Sequence, residues 1–425
     1  MMHYKILRIA GLHYASLMKY LDKSLLGCLY SELKKEIFSN FYVYSDSFSY
    51  GMNSIGQEAD EVIYDYRFLQ EKWAEENGIE FSKNSWRRDV LFAQIRKSKP
   101  DILYFQDVHA LSVDDFCNMK KHFSFVKKVI IFRGFPGLDD ESLKKISTAD
   151  IVIIGSPILK TKLEKYKISS HLIYHFFDER ILQKISQDHK PYELTFIGTS
   201  GYGYGSAHLP RYIMLTELLK KTEIKLWVDE VGHKIRSRSK ENTRNLLKKL
   251  LCRNSKIFNY FERFQVPRQL VNLIEEIKKE KKYLEGMDIS YPVIPLSKKY
   301  KDRCFKPAFG LKMYQAMANS KITLNRHSLA AGSFSDNIRM FQATGVGSCL
   351  ITERSKNLDQ LFEEDLEVVT YSSTEECIEK INYLLKSESV RKSIAQKGQR
   401  RTLKFHTVIR RAEKIDALIQ GSIKK

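Results

Sequence analysis

The stretch Phe334-Ser-Asp-Asn-Ile-Arg-Met-Phe-Gln-Ala-Thr-Gly-Val-Gly-Ser-Cys-Leu-Ile-Thr352 governs the reading of the whole chain. It reads as one helix-to-strand unit, with Ser335 or Asp336 as N-cap, about ten helical residues, a stop at Gly345 or Gly347, and a short aliphatic strand. A helix start at the C-terminal edge of a parallel sheet presents free backbone N–H groups and a positive dipole end, and both favour a diphosphate. Arg339 falls in the first turn, where a guanidinium makes bidentate phosphate contacts. Gln342 follows at the place of a ribose, and Asn337, Thr344 and Gly345 complete this set of candidates. The same spacing also suits an ordinary helix-to-strand unit whose glycines only end the helix.

Outward from that unit, short β-rich runs alternate with helical ones, as βα units and parallel sheets do. Toward the N-terminus the predicted strands are 5–10, 102–106, 128–132, 151–154 and 171–174. The charged stretch 183–192, with Pro191, breaks the series and reads as a linker. A second series follows at 194–198, 224–228, 321–325, 348–352 and 367–370. The expectation is an α/β protein of two Rossmann-like domains, 1–188 and 189–411. A basic helical insertion is predicted over about 229–308, as a packing layer or as a surface for membrane or acceptor. The helix from about Arg391 to Gln420, within 391–425, is long enough to cross back over both domains.

Bulk properties narrow the partners. The 425 residues carry 71 Lys and Arg against 51 Asp and Glu, and the net charge of +20 favours a polyanion such as a nucleotide phosphate, anionic lipid, nucleic acid or acidic glycan. No helix-turn-helix, zinc or RNP-type motif is present, so nucleic acid is not expected. The six cysteines are dispersed without a CxxC pair, which reads as reduced thiols in a cytoplasmic protein. No run approaches the roughly 18 to 20 apolar residues that span a bilayer, so membrane contact, at the inner face, is expected to be peripheral. No Asp-x-Asp or other carboxylate cluster has metal spacing, and neither a metal nor a cofactor is expected.

Lys321-Ile-Thr-Leu-Asn-Arg-His327, followed by Asp336-Asn-Ile-Arg-Met-Phe-Gln-Ala-Thr-Gly-Val-Gly347, resembles the hallmark of bacterial glycosyltransferases with a spore-maturation (CgeB-like) C-terminal domain, relatives of the group 1 transferases. Members of that family typically show Leu-Asn-x-His and then Asn-x-Arg-x-Phe-Glu-Ala-x-Gly-x-Gly. Phe309-Gly-Leu-Lys-Met-Tyr314, Glu367-Val-Val-Thr-Tyr371, Arg391-Lys-Ser-Ile-Ala-Gln-Lys-Gly398 and His406-Thr-Val-Ile-Arg410 also fall in the family's order. The resemblance is strongest over Phe309 to Arg411. It implies a GT-B fold, a nucleotide-diphosphate sugar donor, no metal, and a glycan or lipid-linked acceptor in cell-surface polysaccharide or lipopolysaccharide assembly. Asn325 and His327 join the donor side, although a core or cap role for His327 is a close rival. Where the family carries Glu, this chain has Gln342. An amide loses the charge-assisted bond to a ribose hydroxyl, and this motivates the alternative of a catalytically weakened binding or scaffold protein.

A second glycine-rich loop, Gly198-Thr-Ser-Gly-Tyr-Gly-Tyr-Gly205, follows a strand and precedes His208 and Arg211. Its glycines let backbone amides approach a phosphate, which adds Gly198, Ser200, His208 and Arg211 to the donor candidates. Acceptor chemistry is expected at the strand ends of the first domain. Asp107, His109 and His13 are the candidate bases there, required if the reaction inverts the anomeric centre and only orienting substrates if it retains. A methyltransferase or epimerase would want a glycine-rich loop after the first strand, which Ala10-Gly-Leu-His13 lacks.

Overall fold

The computed structural model describes residues 2–12, 27–42, 45–204, 208–230, 294–335 and 337–423. His13, Asp336 and most of the predicted insertion lie outside the described residues.

Two six-stranded parallel sheets organise the chain. The first holds β1 (Lys5–Ala10), β2 (Glu58–Ile63), β3 (Ile102–Phe105), β4 (Lys128–Arg133), β5 (Ile151–Ile154) and β6 (His171–Leu172), in the order β2-β1-β3-β4-β5-β6. The second holds β7 (Tyr192–Thr199), β8 (Lys225–Asp229), β9 (Cys304–Phe305), β10 (Ser320–Asn325), β11 (Cys349–Glu353) and β12 (Val369–Tyr371), in the order β12-β11-β10-β7-β8-β9. Within the first sheet the register sets Ile6 beside Ile102 and Ile9 beside Phe105, so the aliphatic runs stack across the sheet. Strands buried on both faces need such continuous apolar sequence.

Helices cover both sheets. In the first half they are α1 (Tyr30–Ser39), α2 (Ser47–Ser54), α3 (Arg67–Glu76), α4 (Trp86–Ser98), α5 (Val113–Cys117), α6 (Met119–His122), α7 (Asp140–Ile146) and α8 (Pro157–Glu164). In the second they are α9 (Leu209–Lys221), α10 (Leu296–Lys299), α11 (Gly310–Ala318), α12 (Arg339–Gly345), α13 (Thr374–Lys386), α14 (Glu388–Phe405) and α15 (Val408–Ile423). One core gathers Leu7, Phe105, Ile131 and Ile154, and another gathers Leu194, Leu226, Ile322 and Ile351.

Three expectations about elements change. Strands β2 and β9 were not predicted; both sit at sheet edges, and the first four residues of β2 are Glu-Ala-Asp-Glu. The last helical run is two helices, broken at His406-Thr407, where Phe177 pairs with the chain: Phe177 N–H donates to His406 O at 2.8 Å and Val408 N–H donates to Phe177 O at 3.1 Å. Helix α12 has seven residues rather than about ten and carries no side-chain N-cap. Ser335 is spent elsewhere, its amide donating to Asn357 Oδ1 at 2.8 Å and its hydroxyl 2.6 Å from Ser355 Oγ.

The C-terminal helix ties the halves together. Helix α15 packs on the first half: Tyr4 Oη donates to Asp416 Oδ1 at 2.6 Å, and a β-carbon on Gly51 would lie 3.1 Å from Ala412 Cβ, so the helices cross close. Within the linker stretch the half-buried Lys190 ammonium donates to the carbonyls of Ala318, Ser320 and Gly347 at 2.9, 3.3 and 3.0 Å, all in the second half, and burial lowers its pKa to about 8.

Candidate active site

In each sheet one strand has neighbours reached by connections running opposite ways: β1 lies between β2 and β3, and β7 lies between β8 and β10. Crevices open beyond the C-terminal ends of such strands, and ligands of open α/β sheets bind there. These ends carry Gly11 and Gln106-Asp107 in the first half, and Gly198-Thr199-Ser200 and Asn325-Arg326-His327 in the second.

In the second half the loop after β7 folds back onto the start of α9. Gly201 has φ +92, and a β-carbon there would sit 2.4 Å from His208 O, so only glycine allows the approach. Ser200 is fully buried and donates to Glu230 Oε1 at 2.9 Å, which fastens the loop to the end of β8. Arg211 donates through Nη1 to Thr199 Oγ1 at 2.6 Å and through Nη2 to Arg326 O at 3.4 Å, bridging the ends of β7 and β10. His208 stands just before α9 with its ring 5.7 Å from Tyr204.

Across the crevice Asn325 donates to Thr352 Oγ1 at 2.9 Å and accepts from Asn337 Nδ2 at 2.8 Å. The His327 amide donates to Glu353 Oε2 at 2.8 Å, while its Nε2 lies 3.0 Å from Ser335 Oγ and 3.3 Å from Thr352 Oγ1. Glu353 also pairs with Arg326 at 3.2 Å.

This neighbourhood is polar, buried and incompletely satisfied. His208 Nδ1, Arg211 Nε, His327 Nδ1 and Asn337 Oδ1 are buried without a hydrogen-bond partner, four of twelve such atoms among the described residues. Buried polar atoms are nearly always paired, so these four are hydrogen-bonding capacity that the crevice leaves unused. The local field is positive. Burial, and after it Arg211 and Arg326, lowers the His327 pKa to about 4. Burial and then Arg211 also lower His208, and burial and then Arg326 lower Arg211 itself. Burial is the main cause of all three shifts and the neighbouring guanidiniums the second, while Glu353, paired with Arg326, offsets part of the positive charge.

The other donor-side candidates sit differently. Arg339 directs Nη1 to Gln342 Oε1 at 2.8 Å and to Met313 Sδ at 2.7 Å. Gln342 is buried and donates in turn to Tyr314 Oη at 3.0 Å, so both ends of its amide are engaged. Thr344 is buried against α14, with its hydroxyl 2.6 Å from Thr402 Oγ1. A β-carbon on Gly345 would lie 2.4 Å from Phe177 Cγ, which makes this glycine a packing position at the seam. Gly198 is the penultimate residue of β7, where a β-carbon would meet Phe196 Cζ at 3.3 Å.

In the first half Asp107 Oδ1 accepts from Tyr64 Oη at 3.0 Å and from the exposed His109's amide at 2.6 Å. Arg133, ending β4, is buried, donates to Gly137 O at 2.7 Å and leaves Nε unpaired; Asp107 is one of the charges acting on it. The second half approaches here, since a β-carbon on Gly332 would lie 3.2 Å from Ile158 Cδ1 of α8.

Among the described residues no group of three or more His, Cys, Asp or Glu is placed to hold a metal ion, and no helix is long and apolar enough to cross a membrane.

Solved structures share this architecture over their whole length. Anabaena HepE, crystallised with UDP-glucose, superposes with a TM-score of 0.55 at 10% identity, covering 99% of this chain and 100% of that one. A sucrose-phosphate synthase from Thermosynechococcus elongatus gives 0.55 at 9% identity, covering 99% of each chain. A glycosyltransferase from Rickettsia africae gives 0.53 at 11%, covering 100% and 99%. The fold is GT-B.

Within this GT-B chain, residues 268–417 match the family model described as glycosyl transferase-like. That range includes Asn325, Arg326, His327 and Asn337 but not His208 or Arg211. No curated protein matches the chain. The family match and the GT-B fold together support a glycosyltransferase.

Sequence reasoning missed Arg326, Glu353 and Arg133. Arg326 had a signal, as a cation directly after a strand end in Leu-Asn-Arg-His. Glu353 and Arg133 had none, because their roles depend on the neighbouring strand.

Proposed function

We propose that the protein transfers a sugar from a nucleotide-diphosphate donor to a glycan or lipid-linked acceptor in cell-surface polysaccharide or lipopolysaccharide assembly. The observation that carries this is the set of buried orphan atoms around Arg211 and Arg326 at the ends of β7 and β10. HepE holds UDP-glucose on the same fold, which makes UDP the first nucleotide to test. In this reading Arg211 and Arg326 neutralise the leaving diphosphate, and His327, neutral at physiological pH, hydrogen-bonds the donor through Nδ1. Fixed cations in a water-poor crevice stabilise developing phosphate charge without a metal, so turnover is expected to persist in EDTA. Asp107, with Tyr64 and His109 around it, is the base if the anomeric centre inverts. The spore-maturation type of C-terminal domain and peripheral contact with an anionic membrane belong to the same proposal; the ordered motifs support the first and the +20 charge the second.

One observation favours a second reading. Gln342, at the place where the resembling family carries Glu, is engaged by Arg339 and Tyr314, an arrangement that suits a protein binding a nucleotide sugar without turning it over. Incubation with UDP-glucose, UDP-N-acetylglucosamine and GDP-mannose, with and without EDTA, separates the two. Release of the nucleoside diphosphate from one donor supports the enzyme. Binding without release supports the second reading, and neither binding nor release of any donor sinks both.

A further inference from the structure

The loop between β4 and α7, Gly134-Phe-Pro-Gly-Leu138, presents one aromatic ring on a fixed mount. Phe135 is 60% exposed, the most exposed large hydrophobic residue among those described. Its neighbours turn inward, with Pro136 buried and Leu138 packed on the core of the first half. Three bonds hold the loop: Arg133 Nη2 to Gly137 O at 2.7 Å, Lys162 Nζ to Pro136 O at 2.8 Å, and Ser142 N–H to Asp139 Oδ1 at 2.8 Å. The ring rests on Gly137, where a β-carbon would sit 2.3 Å from Phe135 Cε1. One edge of the ring is therefore backed by the chain, the Arg133 guanidinium carbon lies 5.7 Å from the ring centroid, and the rest of the side chain faces solvent.

Two unpaired polar atoms lie beside this mount. Arg133 Nε and Ser156 Oγ are both buried without partners, and the residues bearing them are 7% and 0% exposed. They belong to adjacent strand ends, since Gly155 N–H donates to Arg133 O at 3.0 Å. Asp107 lies within electrostatic reach of Arg133, and α8 meets the second half through Ile158 and Gly332. An exposed aromatic ring, two orphan hydrogen-bonding groups on adjacent strand ends and the charge of Asp107 thus converge on Arg133.

We infer that Phe135 is a stacking platform for a pyranose ring of the acceptor, with Arg133 Nε and Ser156 Oγ reading hydroxyls at the ring's edge. A pyranose has apolar C–H faces and a polar rim, so it matches an aromatic face bordered by buried hydrogen-bonding groups. A lipid chain would satisfy the aromatic ring but leave both orphan groups unpaired, which disfavours it. The inference rests on the glycosyltransferase reading for calling this sugar the acceptor.

Saturation-transfer NMR on the full chain with UDP present, using methyl β-glucopyranoside, methyl β-galactopyranoside and methyl N-acetyl-β-glucosaminide as probes, tests it. At least one probe is expected to bind the wild type through the protons of one ring face. Phe135→Ala is expected to weaken that probe by about fivefold or more, the scale of a lost aromatic stack, and Phe135→Trp to retain it. Calorimetry with UDP alone is the control and is expected to be unchanged in Phe135→Ala. The inference is overturned if no probe binds the wild type, or if Phe135→Ala binds the probe as tightly as the wild type. It is also overturned if Phe135→Ala loses UDP binding in parallel, because the ring would then support the cleft as a whole. A wild type that binds a pyranoside through Phe135 but not UDP would uphold the platform and defeat the donor reading.

Discussion

Gly345→Ala separates a packing role from a ligand-binding one at the seam between the two halves. The added methyl carbon would stand 2.4, 2.5 and 2.6 Å from Cγ, Cδ2 and Cδ1 of Phe177, well inside contact distance. The ring has little retreat, being fully buried, 6.2 Å from the Tyr314 ring, with its backbone paired to His406 and Val408. Overpacking of this kind costs about 1–3 kcal/mol, and the pinned backbone places it near the top of that range. Alanine recovers up to about 1 kcal/mol of helix propensity at the end of α12, so the net loss is about 2 kcal/mol. For units of this size that lowers Tm by about 4–8 °C. Scanning calorimetry on Gly345→Ala reads it, with Gly421→Ala as the control, because nothing lies within 4 Å of a β-carbon there. UDP affinity, measured below the transition, should stay within about twofold of wild type on the packing account. A Gly345→Ala protein that melts like wild type would refute the reasoning. One that does so while losing UDP would return Gly345 to the donor site.

Other perturbations test the remaining physics. Glu61→Ala strips the carboxylate from Arg8, both side chains being 2% exposed, and should cost about 3–5 kcal/mol in urea unfolding, while Arg8→Met with Glu61→Leu recovers most of it. Burial, chiefly, holds the folded pKa of His175 to about 3 and those of His327 and His406 to about 4, below the ordinary 6.5. The unfolded chain then binds more protons between pH 6.5 and 4, so stability should fall as pH drops through that window. Each histidine contributes up to about 1.4 kcal/mol per pH unit, and His406→Gln should flatten the urea-midpoint profile there. Gly201→Ala forces a side chain onto His208 O at a positive φ, and should both cost about 1–3 kcal/mol of stability and weaken UDP binding, because the loop lies at the crevice.

The alternation of β-rich and helical runs exposed ten of the twelve strands because buried parallel strands are continuous apolar stretches, as Ile102–Phe105 and Ile151–Ile154 show. Strand β2 escaped because its charge is masked only by tertiary partners: Glu61 is buried against Arg8 of β1, and no pattern within Glu58–Ile63 reveals that. Strand β9 escaped because two residues carry no periodicity. The crevice proposed for the donor was legible as a place in the fold through Asn325, His327, His208 and Arg211, polar residues placed directly after apolar strands or at a helix start. The roles of Thr344, Gly345 and Gln342 were not, because a small or polar residue on α12 looks the same whether it faces a ligand, Phe177 or Tyr314. Only the packing of α11, α14 and the seam decides between them.

The most direct test of the central claim is calorimetric titration of UDP into the wild type and into Arg211→Met. A guanidinium-to-phosphate hydrogen bond contributes about 1.5–3 kcal/mol, so the account predicts that wild type binds UDP and that Arg211→Met, equally folded, binds it about 10- to 100-fold more weakly. A wild type that does not bind UDP, or an Arg211→Met that binds it as tightly, would contradict it.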